Sequence, residues 1–189
     1  MDKISRNLLL VAHAFYGIVL AITVPSVNVY FMSHVSTQIV ALSNMITVGL
    51  AAIVSTSATF DRARLFYKRI FELTVVTFVI LYAVIAFLSI EDVTVRFLGM
   101  AVLQSCVASL WTLNMDDCIN HVLSGADLTK FKMLKKSIGL YAALFGGAVA
   151  VYIGTIDITI GLALQCVSVL IDGVVEVTVF LRLGGRNHD

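Results

Sequence analysis

Asp172 and Glu176 lie four residues apart inside a long apolar run, so on a helix they share one face. Asp172 stands ten residues before Arg182. At helical rise that is about 15 Å, near the middle of a hydrocarbon layer about 30 Å thick. Two acids held side by side away from water repel when both are charged, which suits a proton or cation coupling site. A structural pair that meets a Ser, Thr or basic partner, or a water-filled cleft, is the alternative. His13 in the first apolar run reads in two ways as well, as a titrating or substrate-binding group or as a hydrogen-bonded residue between helices. Asp117 and His121, with Cys118 between them, have a spacing that can place two ligands on one metal. Nothing completes such a set, so neither a metal nor a cofactor is expected.

These groups need elements that hold them inside a membrane. The chain has 189 residues, 59% hydrophobic and 13% charged, against about 25% charged in a soluble domain. A fold of this size in water buries only about two thirds of its surface, so this much apolar surface requires a bilayer. The 13 basic and 12 acidic residues nearly balance, which excludes a grip on nucleic acid dominated by phosphate contacts. Cys106, Cys118 and Cys166 all fall in apolar stretches and do not form a disulfide framework.

Apolar runs long enough to cross a bilayer cover 7–32, 35–60, 70–90, 93–115, 133–154 and 156–182. The chain is therefore expected to be an all-α, multi-pass integral membrane protein of six helices, forming a single domain over 1–189. With both termini cytoplasmic, 12 of the 13 basic residues fall on that side and only Arg96 lies near the other. Glu72, within a turn of Lys68 and Arg69, and Arg96, one turn from the outer face, can both snorkel to the interface. The chain divides near Asp92 into units of three helices, about 1–92 and 93–189. Three crossings each give the units opposite topology, the plan of inverted repeats.

The segment Ser57-Ala58-Thr59-Phe60-Asp61-Arg62-Ala63-Arg64-Leu65-Phe66-Tyr67-Lys68-Arg69 resembles the signature between helices two and three of the major facilitator superfamily. That signature reads Gly-x-x-x-Asp-Arg-x-Gly-Arg-Arg. Asp61 and Arg62 match, Lys68 and Arg69 follow three positions late, and Ser57 and Arg64 replace the glycines. In helix five, Gly139-x-x-x-Ala143-Leu144-x-x-Gly147-Ala148 is similar to the family's antiporter motif without its proline. The resemblance covers the whole chain as one six-helix half of a twelve-helix transporter. It implies a conformational charge network of Asp61, Arg62, Asp116 and Asp117. It also implies a substrate cavity lined by helices one and four, with Tyr16, Asn28, Gln104, Trp111 and Thr112 as candidates, beside the coupling candidates Asp172, Glu176 and His13.

The expected function is a half-size secondary active transporter in the inner cell membrane, coupled to protons and moving a small solute by alternating access. Six helices do not enclose a path between two bundles, so a parallel homodimer is expected, or a heterodimer with a related half-protein. Three rivals stand beside it. A lipid transferase needs clustered carboxylates in a pattern that neither Asp116-Asp117 nor Asp172-Gly173 continues, and an enzyme is not expected. A substrate-binding subunit of a vitamin-uptake complex has this length and helix count, and would act as a monomer beside an ATPase. A non-transporting regulator of a larger relative would account for the altered signature.

Overall fold

Helix starts are set by acids and serines placed to accept the first free backbone N–H groups. Asp2 accepts from Ser5 N at 2.7 Å, Asp92 from Val95 N at 3.0 Å and Asp157 from Thr159 N at 2.8 Å. The Ser36 hydroxyl accepts from Ile39 N at 3.4 Å. The fold is a computed structural model that describes residues 1–59 and 66–185. Among the described residues every regular element is a helix. The elements are α1 (Lys3–His34), α2 (Thr37–Thr59), α3 (Phe66–Leu88), α4 (Val93–Val122), α5 (Gly125–Ile153) and α6 (Ile158–Gly185). All six are long and apolar enough to cross a membrane.

Several helices run beyond their apolar runs. α1 begins at Lys3, α4 continues to Val122, and α5 begins at Gly125, eight residues before its apolar run. Hydropathy registers only the oily part of a helix, whereas lysines in the first turns of α5 are good helix formers. The expected basic loop between α4 and α5 is therefore two residues long, and Lys130, Lys132, Lys135 and Lys136 all stand on α5. Pro25 costs a backbone hydrogen bond, yet α1 continues through it to His34.

The principal neighbours form one series, α5–α1–α6–α3–α4–α2. Exchanging α1 with α4, α2 with α5 and α3 with α6 leaves that series unchanged. α2 and α5 stand at its ends and are the least buried helices.

Lipid is as apolar as a leucine side chain, so helices in it associate through close backbone approach and hydrogen bonds. The α1–α5 seam shows this. A Cβ on Gly146 would lie 2.6 Å from the Ile18 carbonyl and 2.7 Å from Ala21 Cβ, and one on Gly17 would lie 3.1 Å from Ala142 Cβ. Gly147, one position round the helix, meets nothing within 4 Å, so the small residues of α5 serve the packing against α1 on the Gly146 side only. α6 approaches α3 in the same way, with Gly173 against the Thr77 hydroxyl. Gln165 Nε2 donates to Thr23 Oγ1 at 2.8 Å, and Ile156 N to Ser26 Oγ at 2.9 Å, tying α6 and its leading turn to α1.

Two buried apolar clusters lie at opposite ends of the bundle. One, at the end holding the termini and the α4–α5 turn, joins Leu9, Ile70, Leu73, Met115, Ile119, Phe131 and Phe180. The other joins Val27, Phe31, Val84, Met100 and Leu162. Polar side chains fill the space between.

Gly146→Leu should force α5 off α1 and cost about 1–3 kcal/mol by overpacking. Gly147→Leu should leave stability within about 0.5 kcal/mol, as expected of a substitution with no packed neighbour. Thermal unfolding in detergent, followed by circular dichroism, distinguishes the two. Equal losses would place the seam elsewhere.

Candidate functional site

A partly open cavity of about 130 Å³ lies between the two apolar clusters. α1 contributes His13 and Tyr16, α4 contributes Trp111, Thr112 and Met115, and α6 contributes Asp172 and Glu176. α3 closes the wall with Ile80 and α5 with Lys135. Five of the six described helices thus meet at one point, because α6 is wedged between α1 and α3 and turns its acidic face inward.

The two acids are sealed from outside, with 3% of Asp172 and 1% of Glu176 exposed. Trp111 Nε1 donates to Glu176 Oε2 at 2.6 Å. Asp172 Oδ1 and Glu176 Oε1 are buried and accept no hydrogen bond. An orphaned carboxylate oxygen in so apolar a place is costly. Lys135 Nζ donates to Met115 Sδ at 2.9 Å, a weak acceptor for an ammonium group. His13 stands against the α1–α5 seam, where a Cβ on Gly139 would come within 3.3 Å of its Nε2. The absent side chain at Gly139 makes room for the imidazole.

A second cavity of about 100 Å³ shares Tyr16, Ile80, Ala108 and Val169 with the first and extends it to Gln165 and Met100. A third, of about 270 Å³, lies between α1, α2 and α4 and is lined by Asn28, Ser43, Asn44 and Thr47. Met100 lines both the second and the third, so the apolar cluster around Phe31 and Met100 is all that separates them.

A charge cluster lies at the other end of the acidic layer. Arg69 on α3 is buried, with 7% of its surface exposed. It donates to Asn114 Oδ1 at 2.5 Å and to Glu72 Oε2 at 3.1 Å, and forms an ion pair with Asp117. Asn114 is itself 1% exposed, so α3 and α4 are joined here through buried groups.

The structure brings together His13, Tyr16, Trp111, Thr112, Asp172 and Glu176 from the sequence expectations. Asn28 is not among them; it lines the third cavity, fifteen residues along α1 from His13. The side chain of Gln104 lies outside the described residues, as do Asp61 and Arg62. Asp117 pairs with Arg69, while Asp116 is half-buried beside it. Arg69, in the first turn of α3, and the partly exposed Glu72 join this cluster, because Asn114 offers an acceptor one helix away. The Asp117–His121 spacing holds no shared ligand geometry, since Asp117 turns to Arg69 and His121 stacks on Phe66 with ring centroids 4.5 Å apart. Sequence reading missed Lys135 as a cavity residue. Its signal is the position seven residues before Ala142 and four before Gly139, on the seam side of α5.

Arg69→Met should cost about 3–5 kcal/mol, because it strands a buried partner. Asp117→Asn should cost under about 1 kcal/mol, since the Asp117 side chain is 46% exposed and such pairs are screened. Thermal melts of the two variants in detergent give the comparison, and equal losses would mean that Asn114 is not the partner that matters. No family model matches the chain, and no curated protein or solved structure matches it.

Proposed function

We propose that the chain is a half-size, major-facilitator-like secondary transporter that works as a parallel dimer and couples solute movement to protons. The observation that carries this reading is the partly open cavity between α1, α4, α5 and α6. It holds two buried acids with orphaned oxygens, and apolar clusters stop it at either end. A chamber with buried acids between two apolar plugs is what alternating access requires of a carrier. Thinning the plug around Phe31 and Met100 would join the chamber to the polar vestibule of Asn28 and Asn44.

Inverted repeats are supported by the neighbour series that is unchanged when the two three-helix units exchange. A partner is supported by Asn28 and Asn44, whose amides are exposed within apolar stretches of α1 and α2. Amides facing hydrocarbon without partners are expensive, and a second copy or a shared aqueous path relieves them. The excess of Lys and Arg at the end with the termini supports cytoplasmic termini and the same orientation for both copies. Inner-membrane placement follows from that reading.

Native mass measurement and cross-linking in mild detergent should give twice the monomer mass. Monomers alone would remove alternating access between two bundles and favour the vitamin-binding subunit. In liposomes loaded with a pH-sensitive dye, a panel of small solutes should include one that drives proton movement. Asp172→Asn should abolish that movement; unchanged proton dependence would take Asp172 out of the mechanism.

A further inference from the structure

We propose that the Asp172–Glu176 cavity binds one small organic cation, an alkylammonium, and that this cation exchanges there against one proton. The purpose of the exchange rests on the transporter reading, while its chemistry rests on the cavity alone.

The charges facing the two acids can be counted helix by helix. α5 supplies the Lys135 ammonium, α1 supplies His13 and Tyr16, both neutral in this count, and α4 and α3 line the cavity with uncharged groups. Towards the terminal end, α4 carries the half-buried Asp116 and the exposed Asp117 and then the buried thiol of Cys118. Asp117 and Glu72 are already met by Arg69. Two carboxylates against one ammonium leave a single negative charge. An isolated charge cannot be kept in hydrocarbon, so the cavity must hold one further positive unit. A proton satisfies this, and so does one monovalent cation, but not both together.

The lining selects an organic cation. Two orphaned carboxylate oxygens are far fewer than the six or more ligands that calcium requires. Trp111 and Tyr16 bring aromatic rings to the lining, the kind of side chain that attracts an ammonium carrying methyl groups. The volume of about 130 Å³ compares with the cavity of about 150 Å³ that accepts benzene. A ligand of roughly six or seven non-hydrogen atoms fits that space.

Trp111 is the only tryptophan of the chain and touches Glu176, so its fluorescence reports on the cavity. The purified protein in detergent micelles is titrated with choline and with its uncharged isostere 3,3-dimethylbutan-1-ol, in weak buffer with a pH dye. Choline should give a saturable change, release one proton for each molecule bound, and lose affinity about tenfold for each unit the pH falls. The isostere should bind at least about tenfold more weakly, the equivalent of 1.4 kcal/mol. Glu176→Gln should abolish the proton release. Lys135→Met removes the ammonium that repels an incoming cation and should tighten choline binding, a gain that misfolding does not produce. Equal binding of the isostere, choline binding without proton release, or an unaltered emission with choline would each overturn the proposal. Choline binding with proton release but no flux in liposomes would keep this site and remove the transporter. Proton flux driven only by neutral or anionic solutes would keep the transporter and remove this substrate class.

Discussion

A polar atom inside a bilayer has no water to fall back on, and this penalty shapes the molecule around α6. Once Asp172 and Glu176 sit at mid-depth, four other helices must answer them. α4 sends the Trp111 indole to one oxygen, α5 brings the Lys135 charge, α1 brings His13 and Tyr16, and α3 lies close enough that only a glycine, Gly173, fits against Thr77. None of the polar placements makes sense for packing alone. A purely apolar α6 would pack as well, with no need for a cavity or for a lysine reaching inward. The two oxygens left without donors mark the place where the fold is incomplete on its own terms.

The same penalty explains how the rest is held. Hydrophobic burial gives little drive between helices in lipid, so specificity comes from a few polar joints and from glycines that let backbones touch. The joints fall into two groups. Gln165–Thr23 and Ile156–Ser26 tie α6 to α1. Arg69–Asn114 ties α3 to α4, α3 against α6 is the broad packing between the two groups, and Trp111–Glu176 and Lys135–Met115 cross between them at the cavity. Each group is stiff within itself, and direct packing of α1 on α4 is slight. On the proposed function this is the line along which the chamber opens, and parting the two groups there breaks the Trp111–Glu176 and Lys135–Met115 hydrogen bonds.

Much of this was legible in the residues. The six crossings follow from hydropathy, and the acidic face of α6 follows from a four-residue spacing that any helix turns into a neighbour relation. Tyr16, Trp111 and Thr112 were reached through a family resemblance that names helices one and four as cavity walls. What stayed hidden depends on the third dimension. Lys135 sits among four lysines that read as one basic segment, and only the rotation of α5 fixed by Gly139 and Gly146 against α1 turns this one inward. The burial of Arg69 stayed hidden because its partner Asn114 is 45 residues away in the chain. Asn28 was grouped with the cavity by its helix, but fifteen residues of rise separate it from His13 and carry it past the Phe31 cluster.

The position of Lys135 has a mechanical consequence. α5 lies at the end of the helix series, and its principal neighbour is α1, which it meets through Gly17, Gly139 and Gly146. Glycine contacts give close approach along that seam, while Phe131 in the apolar cluster anchors the start of α5 against a slide. The cation that sets the charge of the cavity therefore rides on one of the two most exposed helices. A slide of one residue against that anchor moves the ammonium about 1.5 Å relative to the acids, and in a medium of low dielectric such a shift changes their interaction by more than thermal energy. Whatever covers α5 in the membrane, lipid or a second copy, presses on the charge balance of the site through that single lysine.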